Sequence, residues 1–154
     1  MKTVTLNKMI DKLGLKNLVP EVETDGIEIN SAEINRPALQ LAGYFEHFAC
    51  ERVQIIGYVE YTYLNSLDPE VKMKNYERFM SSRIPCVIYA SRTEPDEAMI
   101  ELAKKYKKPL FLSDRATSSL MAEIIRWLNV ELAPSISIHG VLVDVYGEGV
   151  LIMG

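Results

Sequence analysis

The feature that most constrains the fold is an alternation of short apolar runs with helical segments between residues 53 and 128. The apolar runs occupy residues 53–59, 85–90 and 110–112, and segments of helical character follow them at 68–82, 95–106 and 117–128. Such alternation is typical of an α/β layer with a largely parallel sheet. Because the runs are hydrophobic almost without interruption, the pattern predicts a sheet that helices cover on both faces.

Upstream of this region the elements are shorter. Residues 3–13 predict a short strand or turn followed by an amphipathic helix, which Gly14 ends. Residues 27–29 favour a short strand. The segment 36–48 has Pro37 in a first turn and regularly spaced apolar residues, so it predicts a further helix.

The pattern changes after residue 128. Residues 131–134 break the helix, and two apolar runs at 135–146 and 150–153 flank a Gly147-Glu148-Gly149 turn. A hairpin with no third layer cannot bury both of its faces. We therefore expect an α/β domain at 1–130, a linker at 131–134, and at 135–154 the truncated start of a second domain.

Composition excludes several classes of protein. The formal net charge of -4 argues against binding to nucleic acid. No apolar run is long enough to span a membrane and the amino terminus lacks a signal peptide, so we expect a cytoplasmic protein with no membrane partner. Cys50 and Cys86 stand singly, without metal-site spacing, and are expected to be buried free thiols.

Polar residues follow each of the three strands. They are Glu60, the segment 91–93 and the segment 113–115, which meet at one edge if the strands are parallel. A buried pair formed by Arg92 and Arg115 would hold a phosphate there. Helix caps and solvated loop charges explain the same residue types equally well.

Two segments resemble one known family. Residues 139–154, with the sequence HGVLVDVYGEGVLIMG, closely resemble the part of HPr kinase/phosphorylase that leads into its phosphate-binding loop. Residues 34–43, INRPALQLAG, are similar to a segment of that family's N-terminal domain, with Ala38 at a position where glycine is frequent.

The resemblance implies a function for a parent protein. Members of the family use ATP and a divalent cation, Mg²⁺, to phosphorylate a serine of the phosphocarrier protein HPr, and they remove that phosphate by phosphorolysis, in the control of carbon catabolite repression. The resemblance also implies homo-hexamers, and N-terminal domains similar to those of Mur ligases. A chain that stops at the first residue of the phosphate loop is expected to be inactive alone and to bind neither ATP nor Mg²⁺ tightly.

Two residues carry the catalytic expectation. The resemblance places His139 in the kinase active site and makes Gly154 the first residue of the ATP-binding loop, where backbone N–H groups would face the phosphates. From the residues alone, a lone histidine near a strand start is also a common structural hydrogen-bonding group. No metal ligand is assigned, since Asp144 lies on an alternating strand and the family's magnesium ligands fall beyond residue 154.

The rival hypothesis belongs to another class of protein. It makes the chain a non-enzymatic α/β regulatory module that binds a small phosphorylated ligand or a partner protein. A lysine followed by serine or threonine shortly after Gly154 in the coding sequence would discriminate in favour of the kinase.

Overall fold

A computed structural model describes residues 2–134, which form a layered α/β domain. The strands are β1 (Val4–Thr5), β2 (Lys16–Asn17), β3 (Glu28–Ile29), β4 (Ile34–Asn35), β5 (Val53–Ile56), β6 (Val87–Tyr89) and β7 (Leu110–Leu112). The helices are α1 (Leu6–Leu13), α2 (Ala38–Leu41), α3 (Tyr58–Ser66), α4 (Pro69–Met80), α5 (Glu97–Tyr106) and α6 (Thr117–Glu131).

The central sheet is mixed. Its five strands lie in the order β2-β7-β6-β5-β4, in which β4 to β7 pair in parallel and β2 pairs antiparallel with β7. Strands β1 and β3 form a separate antiparallel pair. The expected largely parallel sheet is therefore confirmed for four of the five central strands, and one edge strand runs the other way.

Side chains of the central strands alternate between two hydrophobic cores. Ile55, Ile88 and Phe111 point into one core, against α1, α6 and the β1–β3 pair. Ile56 and Tyr89 point into the other, against α2 to α5. All four residues of β5 are buried, as expected for a strand with helices on both faces.

The helix predicted over residues 36–48 is largely wrong. Only α2 is helical there, because Gly43 adopts φ +101° and turns the chain away. The Leu41 carbonyl accepts a hydrogen bond from Asn75 Nδ2 at 2.9 Å. A side chain of α4 thus satisfies a carbonyl that the end of α2 leaves without a helical partner.

Strand β5 is shorter than predicted, and the sequence analysis missed the helix after it. The strand ends at Ile56 and α3 begins at Tyr58, within the run that was assigned to the strand. Tyrosine, valine and threonine favour strands, which explains the misassignment of this segment.

The other helices were predicted with small errors at their ends. Asp68 is the N-cap of α4, and its side chain accepts a hydrogen bond from Glu70 N at 3.2 Å. Helix α6 continues to Glu131, three residues beyond the predicted 128. The predicted hairpin and second domain at 135–154 lie outside the described residues.

Candidate functional site

The carboxyl ends of the parallel strands bring polar residues together at one edge of the sheet. Arg36 follows β4, Gly57 follows β5, and Ser91 lies two residues after β6. Each of these residues contacts Glu60 or Thr117, near the starts of α3 and α6. Ligands of open α/β sheets generally bind at this edge. The hydrogen bonds of these polar side chains therefore decide whether any of them is free to hold a ligand.

Glu60 ties two of these elements together. Its side chain is only 5% exposed, and its Oε1 accepts hydrogen bonds from Arg36 Nη2 at 2.7 Å and from the backbone N–H of Gly57 at 2.8 Å. Glu60 is the third residue of α3 and caps the helix by bonding back to the N-cap residue. The buried carboxylate is therefore neutralised and is not free to hold a ligand.

Gly57 has no room for a side chain. A Cβ atom there would lie 2.6 Å from Thr117 Oγ1 and 2.7 Å from Arg36 Nη2. A side chain there would have to displace the Thr117 side chain at the start of α6 and the Arg36 guanidinium that pairs with Glu60. This close packing leaves no cavity at this point for a ligand atom.

The Ser91 hydroxyl bonds to a helix that is distant in sequence. Its Oγ accepts a hydrogen bond from the backbone N–H of Thr117 at 2.8 Å and lies 2.6 Å from Thr117 Oγ1. Both Ser91 and the following Arg92 have positive φ, +57° and +60°, which is unusual for residues other than glycine. Ser91 is therefore not an N-cap, since Asp96 is the N-cap of the next helix, α5. Its hydroxyl instead satisfies a free N–H at the start of α6.

The buried arginine pair proposed for phosphate binding does not exist. Arg92 and Arg115 are both exposed, and Arg115 forms an ion pair with Glu123. A cavity of about 320 Å³ beside Arg92 also has Lys16, Glu94 and Asp114 in its wall. Two cations and two carboxylates balance there, so the charge of the wall does not favour an anion.

The structure does not reach the residues predicted for catalysis. His139 and Gly154 both lie outside the described residues. Between residues 2 and 134, no group of three or more histidine, cysteine or carboxylate side chains is placed to hold a metal ion. No helix in the same range is long and apolar enough to cross a bilayer.

Sequence reasoning missed the Arg36–Glu60 pair. A signal was present, because a glutamate three residues after a glycine has the spacing at which its side chain can accept from the N–H of the residue before a helix. It was overlooked because residues 57–59 were assigned to the preceding strand. Arg36 offered no signal, since it reaches Glu60 only through the pairing of β4 with β5.

Comparison with known proteins gives consistent matches. Residues 4–128 match the family described as HPr Serine kinase N terminus. The chain is 48% identical over 154 residues to an HPr kinase/phosphorylase of Lachnoclostridium phytofermentans, covering all of this chain and 50% of that protein. It is 41% identical to the protein of the same name from Alkaliphilus metalliredigens, with the same coverage. The chain thus spans about half the length of these curated relatives.

A solved structure shares the fold. It contains the CBS and DRTGG domains of the regulatory region of Clostridium perfringens pyrophosphatase, complexed with the activator diadenosine tetraphosphate. The TM-score is 0.54 at 14% sequence identity, and the match covers 90% of this chain and 53% of that one. This likeness concerns the fold only.

The family match extends over most of the described domain, and the identity to the curated relatives continues to the last residue of the chain. Together, the family match and the identity to these relatives favour the kinase hypothesis over the non-enzymatic module. The chain belongs to the HPr Serine kinase N terminus family.

Proposed function

We propose that this chain serves as the N-terminal half of an HPr kinase/phosphorylase. The observation that carries the proposal is its 48% identity, over all 154 residues, to a protein of that name. The whole enzyme would phosphorylate a serine of HPr with ATP and Mg²⁺ and remove the phosphate by phosphorolysis. It would act in the cytoplasm as a hexamer, in the control of carbon catabolite repression.

The division of labour follows the domain boundaries. Residues 1–130 would form an accessory domain of the type found at the amino terminus of Mur ligases, and residues 131–134 would link it to a kinase domain that begins with the hairpin 135–154. The internal pairing of Glu60 with Arg36 and of Arg115 with Glu123 supports an accessory role for the first domain, because those charged groups are engaged in holding its own elements together.

His139 and Gly154 would contribute to the kinase site. A glycine at the end of an apolar strand allows the sharp turn that a phosphate loop needs, so Gly154 would begin the ATP-binding loop. An imidazole near the transferred phosphoryl group would orient the attacking group or stabilise charge, since phosphoryl transfer depends chiefly on positioning and electrostatics.

The test compares two proteins. The 154-residue chain and the product of the full coding sequence are purified and incubated with HPr and labelled ATP. We expect label in HPr only with the longer protein. The negative charge that develops in the transition state is stabilised by the lysine and magnesium of the phosphate loop, which the 154-residue chain lacks. Label transferred by the 154-residue chain would refute the division of labour, and no transfer by the longer protein would refute the function.

The role of His139 is tested in the longer protein. His139→Ala should lower turnover by about 10² to 10⁴ if the imidazole transfers a proton. The melting temperature, measured in parallel, should stay near that of the wild type. A lower melting temperature with normal turnover would leave His139 with a structural role only.

A further inference from the structure

The cavity beside Arg92 lies at the edge of the sheet where ligands of α/β proteins generally bind. Its wall includes Leu112, the last residue of β7, and Lys16, which lies directly across from Leu112 on β2. The segment that follows β6 adds Arg92 and Glu94. The volume of about 320 Å³ is at the lower end of the ~300 to 1,000 Å³ found for small-molecule sites. The place and the size of the cavity therefore suit a small ligand.

Four charged side chains of this wall have no ionic partner. None of them forms an ion pair or a side-chain hydrogen bond within residues 2–134. They are two cations, Lys16 and Arg92, and two carboxylates, Glu94 and Asp114. Charged residues just before α5 and α6 are paired, by contrast, as in Lys72–Asp96 and Arg115–Glu123. Opposite charges therefore share one concave wall without neutralising one another by direct contact.

These four side chains are accessible to a molecule in the cavity. All four residues are exposed, so a ligand can reach them without any rearrangement of the core. Exposure also means that each group is hydrated, and a single ion pair formed there would gain little. A ligand that binds must therefore use several of the four groups together.

The backbone at Arg92 is held in an unfavourable conformation. Ser91 and Arg92 have φ of +57° and +60°, and Thr93 N donates to the carbonyl of Ala90 at 3.1 Å. These are features of a type I′ turn, whose two central positions favour glycine, asparagine and aspartate. The Ser91 hydroxyl bonds to the start of α6, but the Arg92 side chain has no hydrogen bond within the described residues that would offset the strain. Such strain clusters at ligand sites, and a ligand of Arg92 would account for it here.

We propose that this cavity binds a free amino acid with an apolar side chain. The carboxylate of the ligand pairs with Lys16 and with the guanidinium of Arg92, which can donate two parallel N–H bonds. The ammonium group of the ligand donates to the carboxylates of Glu94 and Asp114. A simple anion or cation would meet two like charges in the same wall, whereas a zwitterion is balanced by charges of both signs. At about 30 Å³ per water molecule, the cavity holds about eleven waters, which leaves room for an amino acid whose side chain packs against Leu112.

The experiment follows the amide resonances of the isotope-labelled 154-residue chain by NMR during a titration. The probes are L-leucine and two analogues that keep its side chain, isoamylamine without the carboxylate and isocaproate without the ammonium group. We expect saturable shifts of the amides around Arg92 and Asp114 with leucine, and binding at least about tenfold weaker for either analogue. Equal binding of an analogue, or no saturable shift with leucine, would overturn the proposal. The titration needs no kinase activity, so its result is independent of the function proposed above.

Variants test the charges of both signs. Lys16→Gln and Glu94→Gln each remove one charge and should weaken leucine binding by about tenfold, the effect of losing one hydrogen bond to a charged group. Lys12→Gln and Glu97→Gln are the matched controls, because both residues are exposed but lie outside the cavity wall. Each control should bind leucine like the wild type. Equal weakening in a control and in its matched variant would indicate a general effect of net charge and would overturn the proposal.

The analogues separate a site for a zwitterion from a site for one charge. Lys16→Gln removes a charge that repels isoamylamine, so the binding of this amine should stay unchanged or become tighter while leucine binds more weakly. Glu94→Gln should act in the same way on isocaproate. Without a ligand, both variants should melt near the wild-type temperature, because exposed side chains without partners contribute little to stability. Leucine binding that is unchanged in both variants would overturn the proposal.

Discussion

Replacing Glu60 should destabilise the domain more than replacing any solvent-exposed glutamate at a helix start. Its carboxylate is 5% exposed and has two partners, Arg36 Nη2 and Gly57 N. Glu60→Ala removes the acceptor from both, whereas Glu60→Gln keeps an uncharged acceptor of similar shape. The two variants therefore separate the contribution of the hydrogen bonds from that of the charge.

The magnitude follows from what each partner loses. In Glu60→Ala the buried N–H of Gly57 is left without an acceptor, which costs about 1 to 3 kcal/mol. Arg36 also loses its ion pair. Its side chain is 34% exposed and can be hydrated, so this loss is well below the ~3 to 5 kcal/mol of a fully buried pair, and we take it as about 1 kcal/mol. We expect a total of about 2 to 4 kcal/mol for alanine and about half of that for glutamine, because charge-assisted hydrogen bonds are roughly twice as strong as neutral ones.

Urea unfolding of the 154-residue chain provides the measurement. The midpoint should fall in the order wild type, Glu60→Gln, Glu60→Ala, with an unchanged dependence of the unfolding free energy on urea concentration. Glu97→Ala is the matched control, because Glu97 is also in the first turn of a helix, α5, but is exposed. Equal losses in Glu60→Ala and Glu97→Ala would refute the reasoning.

A double-mutant cycle with Arg36→Met isolates the pair. Residues that share an ion pair are expected to show a coupling free energy of about 0.5 to 3 kcal/mol. Effects that add to within ~0.3 to 0.5 kcal/mol would mean that Glu60 stabilises the fold through the Gly57 cap alone.

Three further predictions concern other residues. Ser91→Ala should lower the free energy of unfolding by about 1 kcal/mol, because the hydroxyl that caps α6 is lost. Ser91→Gly should lower it less, because glycine adopts the φ of +57° without strain, and equal losses in urea unfolding would contradict this. Lys107→Gly should raise the melting temperature, since Lys107 ends α5 in the left-handed region at φ +58°, and a decrease would contradict it. Cys86 should react with iodoacetamide at pH 8 far more slowly than half-buried Cys50, because burial raises the pKa of the Cys86 thiol to about 12. Mass spectrometry of the labelled peptides measures the ratio of the two labelling rates, and equal labelling would contradict the prediction.

Elements with strong local signals were predicted from the sequence. Helix α4 was placed by Asp68 and Pro69, which cap and begin a helix without help from the rest of the fold. Strand β7 was placed at its observed bounds, because a short apolar run between polar segments indicates a buried strand. In both cases the determining contacts are close in sequence.

The errors arise where distant contacts decide the structure. After helix α2 ends, the free carbonyl of Leu41 is satisfied by Asn75, more than thirty residues away. Strand β4 has two residues, too few for a periodic signal, and exists through its pairing with β5. The Ser91 cap of α6 likewise joins residues 26 positions apart, which no local pattern indicates.

The same distinction describes two of the polar groups at the carboxyl ends of the parallel strands. Glu60 is buried with two partners, so its carboxylate holds the chain together and its charge is satisfied before any ligand arrives. The Ser91 hydroxyl is likewise engaged, because it accepts a hydrogen bond from the backbone N–H of Thr117. Both side chains join the end of a strand to the start of a helix. These two polar residues, which suggest a ligand site at this edge of the sheet, therefore stabilise the domain instead.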